Sequence, residues 1–149
     1  MKKLFTGITL AVLMLISIPA NAQTGKHVWK SLIVNEDKKI WYDESSITDI
    51  KGNAFDVYLL QMYVPPLRMN GIKGEIYRSK TLYTVNLDLV KYGIKEVVYY
   101  NSENTEIYKH DYGITDYEDN LKYTYPVLEN SPIHLVIKEI YKNKGTTTE

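Results

Sequence analysis

The sequence predicts an α+β domain: an antiparallel β-sheet of about six strands with a C-terminal α-helix packed on one face. Three observations carry this prediction. From Ile76 to Leu89, residues Tyr83, Val85, Leu87 and Leu89 share one face while Thr84, Asn86 and Asp88 share the other, which is the period of a half-buried strand. Glycine, proline and asparagine divide most of the remaining chain into short β-rich runs of similar kind. One stretch alone changes period: Ile133, Val136, Ile137, Ile140 and Tyr141 recur at i, i+3, i+4, i+7 and i+8, the apolar stripe of a helix.

Taken in order, Val28 to Val34 is a first strand, and the polar Asn35 to Lys38 turns it into Lys39 to Asp43 as a hairpin. Gly52-Asn53 opens a longer strand, Ala54 to Val64, whose Phe55, Val57, Leu59 and Tyr63 lie on one face with Gln61 the exception. Pro65-Pro66 is expected to end it, since neither residue can donate to a ladder. Residues 67 to 75, with Gly71 and Gly74, read as a mobile loop before the strand Ile76 to Leu89. Tyr92-Gly93 is expected to turn the chain into Ile94 to Tyr100, and Asn101 to Asn104 to turn it into Thr105 to Tyr108. Gly113 to Leu121 is acidic and reads as irregular, and Lys122 to Val127 as one more short strand. Ser131 as N-cap and Pro132 as first helical residue start the helix Pro132 to Lys142, with Gly145 just past its end. Such a helix is roughly 16 Å long and spans three or four strands.

This pattern leaves the second face of the sheet in question. Trp41-Tyr42 and Val97 to Tyr100 place large apolar groups on both faces, and one short helix covers only one. Either a strand folds over the second face, or that face meets a partner or a second copy as a homodimer.

The first 22 residues read as a cleaved signal peptide: Lys2 and Lys3 form the charged start, Ile8 to Ile18 the apolar stretch, and Ala20-Asn21-Ala22 the small-residue site. Cleavage is expected between Ala22 and Gln23, because the apolar stretch is short of the about 20 residues that cross a bilayer. An exported domain, 23–149, follows, with 143–149 as a flexible tail. The chain has no cysteine, so Gln23 stands where a lipoprotein needs its acylated thiol, and the core is expected to hold without crosslinks. The expected location is the bacterial cell surface and outer membrane or the periplasm.

Composition and motifs set aside several chemistries. Formal net charge is zero over 149 residues, and loss of Lys2 and Lys3 leaves the remainder slightly acidic, which disfavours a nucleic-acid partner. His27, His110 and His134 lie far apart without a second ligand at metal spacing, so no metal site is expected. Asp111, Asp116, Glu118 and Asp119 lack the spacing and central glycine of a calcium loop and read as a solvated segment. Ser45-Ser46 follows two acids with no histidine nearby in the chain, and Asp43 to Ile47 reads as a strand end with a capped turn. Gly71 and Gly74 do not make a phosphate cradle, and no cofactor is expected.

Fourteen tyrosines stand out. Tyrosine is a good strand former that sits half-buried with its hydroxyl in water, and it also makes adhesive protein surfaces at low entropic cost.

The order of these motifs resembles the surface-adhesin protein E family of small exported bacterial proteins. The likeness is carried by Trp29, by Trp41-Tyr42-Asp43-Glu44-Ser45-Ser46-Ile47, by the strands Phe55 to Val64, Lys80 to Asp88 and Val98-Tyr99-Tyr100, and by Tyr125-Pro126-Val127 leading to Asn130-Ser131-Pro132. It spans nearly all of residues 23–149 through short motifs. Two departures mark a divergent member: where the family often carries a cysteine on its central strand and another in its terminal helix, this chain offers residues such as Leu87 and Tyr141, and the tryptophan shortly before the helix is missing.

The resemblance implies a non-enzymatic protein that binds a protein partner at the cell surface, a host or extracellular matrix protein in the family's best-described case, and that dimerises. It singles out no partner-binding residues. The rival reading is a periplasmic ligand-binding or inhibitor module, docking a small molecule or a secreted enzyme through its sheet or the loop 67 to 75. A third is an enzyme without a recognisable motif.

Overall fold

The computed structural model of the chain describes residues 26–47, 50 and 52–145. The predicted signal segment, its cleavage pair Ala22 and Gln23, and residues 146–149 lie outside the described residues.

The architecture is α+β, an antiparallel meander closed by a C-terminal helix. Strands β1 (Trp29–Val34), β2 (Lys39–Asp43), β3 (Ala54–Leu67), β4 (Ile76–Asn86), β5 (Lys91–Tyr100) and β6 (Glu106–Asp111) pair in chain order. A short β7 (Tyr125–Pro126) joins β5 beside Lys91 and Tyr92. A 3-10 turn spans Glu44–Ile47, another spans Ile114–Asp116, and α1 (Asp119–Lys122) and α2 (Pro132–Gly145) complete the fold.

Turns form where side-chain acceptors replace the ladder. Asn35 accepts from the backbone N–H of Asp37 and Lys38 at 3.1 and 2.7 Å and closes the β1–β2 hairpin. Asn101 accepts from Glu103 and Thr105 in the same way between β5 and β6. At α2, Ser131 accepts from the His134 N–H at 3.3 Å, the N-cap expected from the sequence.

One face of the sheet packs against α2. Tyr42, Phe55, Val57, Leu59 and Val85 form a single buried cluster with Ile133, Val136 and Ile140 of the helix. Each of the three helix residues, at 5% exposure or less, contributes about 2 kcal/mol of apolar burial. Leu32, Leu87, Tyr92, Val127 and Ile137 pack around the rim.

Several expectations are corrected in detail. Pro65-Pro66 does not end β3, which continues to Leu67; the pairing with β4 is irregular after Met62 and resumes at Leu67 opposite Ile76, so the prolines sit where no ladder donor is required. Strand β4 ends at Asn86 instead of Leu89, because the Asn86 side chain accepts from both Asp88 and Leu89 N–H at 3.0 Å. Leu89, placed on the core face by alternation, is therefore exposed.

Gly93 is not in a turn. It lies inside β5 opposite Thr84, and a Cβ there would stand 2.0 Å from the Lys122 carbonyl oxygen. Glycine is needed for the close approach of the segment 113–124, while the turn itself is made by residues 87–90 with Val90 at a φ of +52°. Strand β6 is also longer than expected, reaching Asp111, and α2 runs past Lys142 to Gly145.

No strand folds over the second face among the described residues. At the Gly93 end, the segment 113–124 lies over β5. Further along, one cross-strand row runs Trp41, Leu60, Lys80, Val98, Lys109. Val98 is only 2% exposed and is flanked in register by Lys80 and Lys109.

Candidate functional site

The second face is a broad aromatic and charged platform built by strand alternation. Asp43 and Trp41 come from β2; Tyr58, Leu60 and Met62 from β3; Arg78, Lys80 and Leu82 from β4; Glu96, Val98 and Tyr100 from β5. Tyr58, Leu60, Leu82, Trp41 and Tyr100 are half-buried, and Met62 is exposed.

Cations hold the aromatic rings in place. Lys80 Nζ stands 5.2 Å from the Tyr58 ring centre, and the Arg78 guanidinium 5.6 Å from that of Tyr100. Lys109 pairs with Glu96 at 2.7 Å and Lys95 with Asp56 at 2.8 Å, so the platform carries both signs of charge in alternation. Burial, with Glu96 nearby, pushes the Tyr58 hydroxyl above its ordinary value, and burial with Glu106 and Glu96 does the same for Tyr100. Both hydroxyls stay protonated donors at neutral pH.

At one corner the chain ties itself into a compact polar knot. His27 donates Nδ1–H to Asp43 Oδ2 at 2.6 Å, and its ring lies 5.2 Å from Trp29 and 5.3 Å from Tyr58. Asp43 Oδ1 accepts from the Val28 N–H at 2.8 Å, the Ser45 N–H at 3.1 Å and the Ser45 hydroxyl at 2.6 Å. Burial pushes the Asp43 carboxyl up, but the bonds from Ser45, His27 and Val28 outweigh it and hold the group below its ordinary value.

The residues of this knot are an acid, a histidine and a serine, joined in the order serine, acid, histidine through one carboxylate. Ser45 donates its hydroxyl to one oxygen of the Asp43 carboxylate, and His27 meets the other oxygen of the same group. Ser46 is turned the other way, donating to the Asp43 carbonyl at 2.7 Å and accepting from the Tyr58 N–H at 3.1 Å. Sequence reasoning missed the approach of His27 to Asp43. The signal for it was the hairpin register, which sets Trp29 opposite Asp43 and so brings residue 27 beside the same carboxylate.

The remaining histidines are separate from this corner. His110, exposed on β6, stacks on Tyr108 and meets Tyr112 edge-on, and His134 Nδ1 accepts from the Asn130 N–H at the start of α2. Among the described residues, no group of three or more His, Asp or Glu side chains is placed to hold a metal ion. Asp111 accepts from the Gly113 N–H at 2.8 Å, closing the turn that leads into the acidic segment.

The tyrosines divide between the two faces. Tyr58 and Tyr100 belong to the platform, whereas Tyr42 is in the core and Tyr83, Tyr92 and Tyr125 form an aromatic run along the helix side. Burial pushes the Tyr83 hydroxyl up to about 12.

Among the described residues no helix is long and apolar enough to cross a membrane. No family model, curated protein or solved structure matches the chain, so its likeness to the surface-adhesin protein E family rests on the sequence motifs.

Proposed function

We propose that the chain is an exported, non-enzymatic binding protein of the protein E type that holds a protein partner against the second face of its sheet. The observation that carries this reading is the platform itself: Trp41, Tyr58 and Tyr100 half-buried beside Arg78 and Lys80, with charges of both signs around them. Tryptophan, tyrosine and arginine are the residue types that dominate binding energy at protein interfaces, because they bury large rigid groups and keep a polar end. The cation–ring contacts fix the aromatic groups before a partner arrives, which lowers the entropy lost on binding. The resemblance adds the class of partner, a host or extracellular matrix protein, and a homodimer is the other occupant that the same face would accept.

Antibody labelling of intact and permeabilised cells tests this reading, with serum raised to residues 23–149 and a periplasmic protein as control. Labelling of intact cells is expected. Labelling confined to permeabilised cells would overturn the surface role and leave the periplasmic module as the reading to pursue.

A further inference from the structure

The loop 68–75 joins β3 to β4, yet it does not stay above them. Met69, Asn70, Gly71 and Ile72 face Val97 and Tyr99 of β5, Tyr108 of β6 and Tyr112 across a cleft of about 230 Å³. The loop therefore reaches over β4, and it does so on the helix side of the sheet, beyond the end that α2 covers: Val97 and Tyr99 are in register with Thr81 and Ser79, which pair with Leu59 and Gln61 of β3. Its base is clamped by Arg68, which donates Nε and Nη2 to one Glu75 oxygen at 3.1 and 2.6 Å, and by a Met69–Ile72 backbone turn. Gly71 and Gly74, both at positive φ, allow the two reversals this path requires.

The outer wall of the cleft is aromatic. Tyr99 and Tyr108 are stacked with centres 5.9 Å apart, His110 continues the stack on Tyr108, and Tyr112 stands edge-on to His110 at 4.6 Å. Tyr108 and Tyr112 keep 36% and 43% of their surface open to solvent. The other wall supplies a thioether, an amide and an aliphatic group. No lining residue carries a charge, which gives neither an anion nor a cation a counterpart.

From this lining we infer that the cleft is a saccharide site, taking one neutral pyranose ring of a larger glycan. A pyranose has an apolar C–H face and a rim of hydroxyls, and the lining offers the complement of each: aromatic rings with the Met69 and Ile72 side chains for the C–H groups, and tyrosine hydroxyls with the Asn70 amide for the rim. Its volume lies below the roughly 300 Å³ at which sites for drug-sized ligands begin, so one ring fills it while the rest of the glycan stays in solvent. The site lies on the opposite face from the proposed protein-binding platform and stands independently of it.

An amide-resolved NMR titration of the isotope-labelled protein tests the inference. Cellotriose, maltotriose and chitotriose are the neutral probes, trigalacturonate the charged control and hexaproline the peptide control. At least one neutral trisaccharide is expected to shift the signals of Asn70, Ile72, Tyr99 and Tyr108 with a low-millimolar Kd. Tyr108→Ala is expected to weaken it about tenfold, which corresponds to about 1.4 kcal/mol. Tyr141→Ala, an exposed position on α2, should leave it unchanged. If Tyr108→Ala does not fold, Tyr112→Ala serves in its place. The inference is overturned if no neutral probe shifts these signals at about 20 mM, if the cleft variant binds as tightly as the parent, or if trigalacturonate or hexaproline occupies the same residues with equal affinity.

Discussion

His27 and Asp43 are sixteen residues apart in the chain and 2.6 Å apart in the fold, and the carboxylate they share with Val28 and Ser45 is 1% exposed. A charge this deeply placed costs several kcal/mol in desolvation unless its bonds are complete, and here four donors meet it. The knot thereby locks β1 to β2 and fixes Trp29 and Tyr58 at the corner of the platform.

Asp43→Asn should therefore destabilise the protein by about 2 kcal/mol at neutral pH, since one oxygen becomes a donor facing donors. The pH dependence has a definite sign. Because the folded carboxyl titrates below its ordinary value of 3.8, its contribution is complete above that value and is lost as pH falls through the depressed one. Urea denaturation of parent and variant should give curves that differ most at neutral pH and converge in acid below 3.8. A gap that stays constant down to the acid limit would show that the ionised bonds are not the source of the effect.

Gly93→Ala tests whether the segment 113–124 is held against the second face by close backbone contact. The added Cβ would meet the Lys122 carbonyl oxygen at 2.0 Å and its carbonyl carbon at 3.2 Å, backbone atoms that leave little to yield, while the Ile114 Cδ1 at 2.8 Å is a side-chain end that can move aside. A loss of about 2 to 3 kcal/mol is expected. Hydrogen exchange should accelerate in residues 113–124 more than in β3 or β4, and uniform acceleration would contradict this local account.

Val90→Gly works in the other direction. Val90 carries a φ of +52°, which a β-branched residue adopts only at a cost, and 54% of its surface is exposed, so little packing is lost with its side chain. Its carbonyl would keep the bond from the Val127 N–H at 3.0 Å. A gain of about 0.5 to 1 kcal/mol is expected, seen as a Tm rise of about 2 to 4 °C in a thermal scan. A fall in Tm would mean that the side chain, which lines one cleft with Val127 and Ile137, contributes more to stability than its backbone strain costs.

Local chemistry made much of the fold legible from residue order. The helix stripe of Ile133, Val136 and Ile140 and the strand face of Phe55, Val57 and Leu59 both reach the core as their periods require, because those periods are fixed by backbone geometry. Asn35, Asn101 and Ser131 act where their short polar side chains can replace a backbone partner. Gly93 reads as a turn in the sequence for a related reason: a glycine permits both a reversal and a close approach, and only the neighbour that approaches, Lys122, distinguishes the two.

The α+β class, the first hairpin, the meander after Ile76 and the helix over one face are legible in residue order, since each follows from contacts between near neighbours and from the alternation of apolar groups. Tertiary structure alone decided what meets across the sheet: the approach of His27 to Asp43, the lysines beside Val98, the mixed-charge platform around Tyr58 and Tyr100, and the reach of the 68–75 loop to Tyr99 and Tyr108. These depend on strand register and loop path, where a one-residue slip would turn every side chain to the opposite face, and no local preference in the chain specifies them.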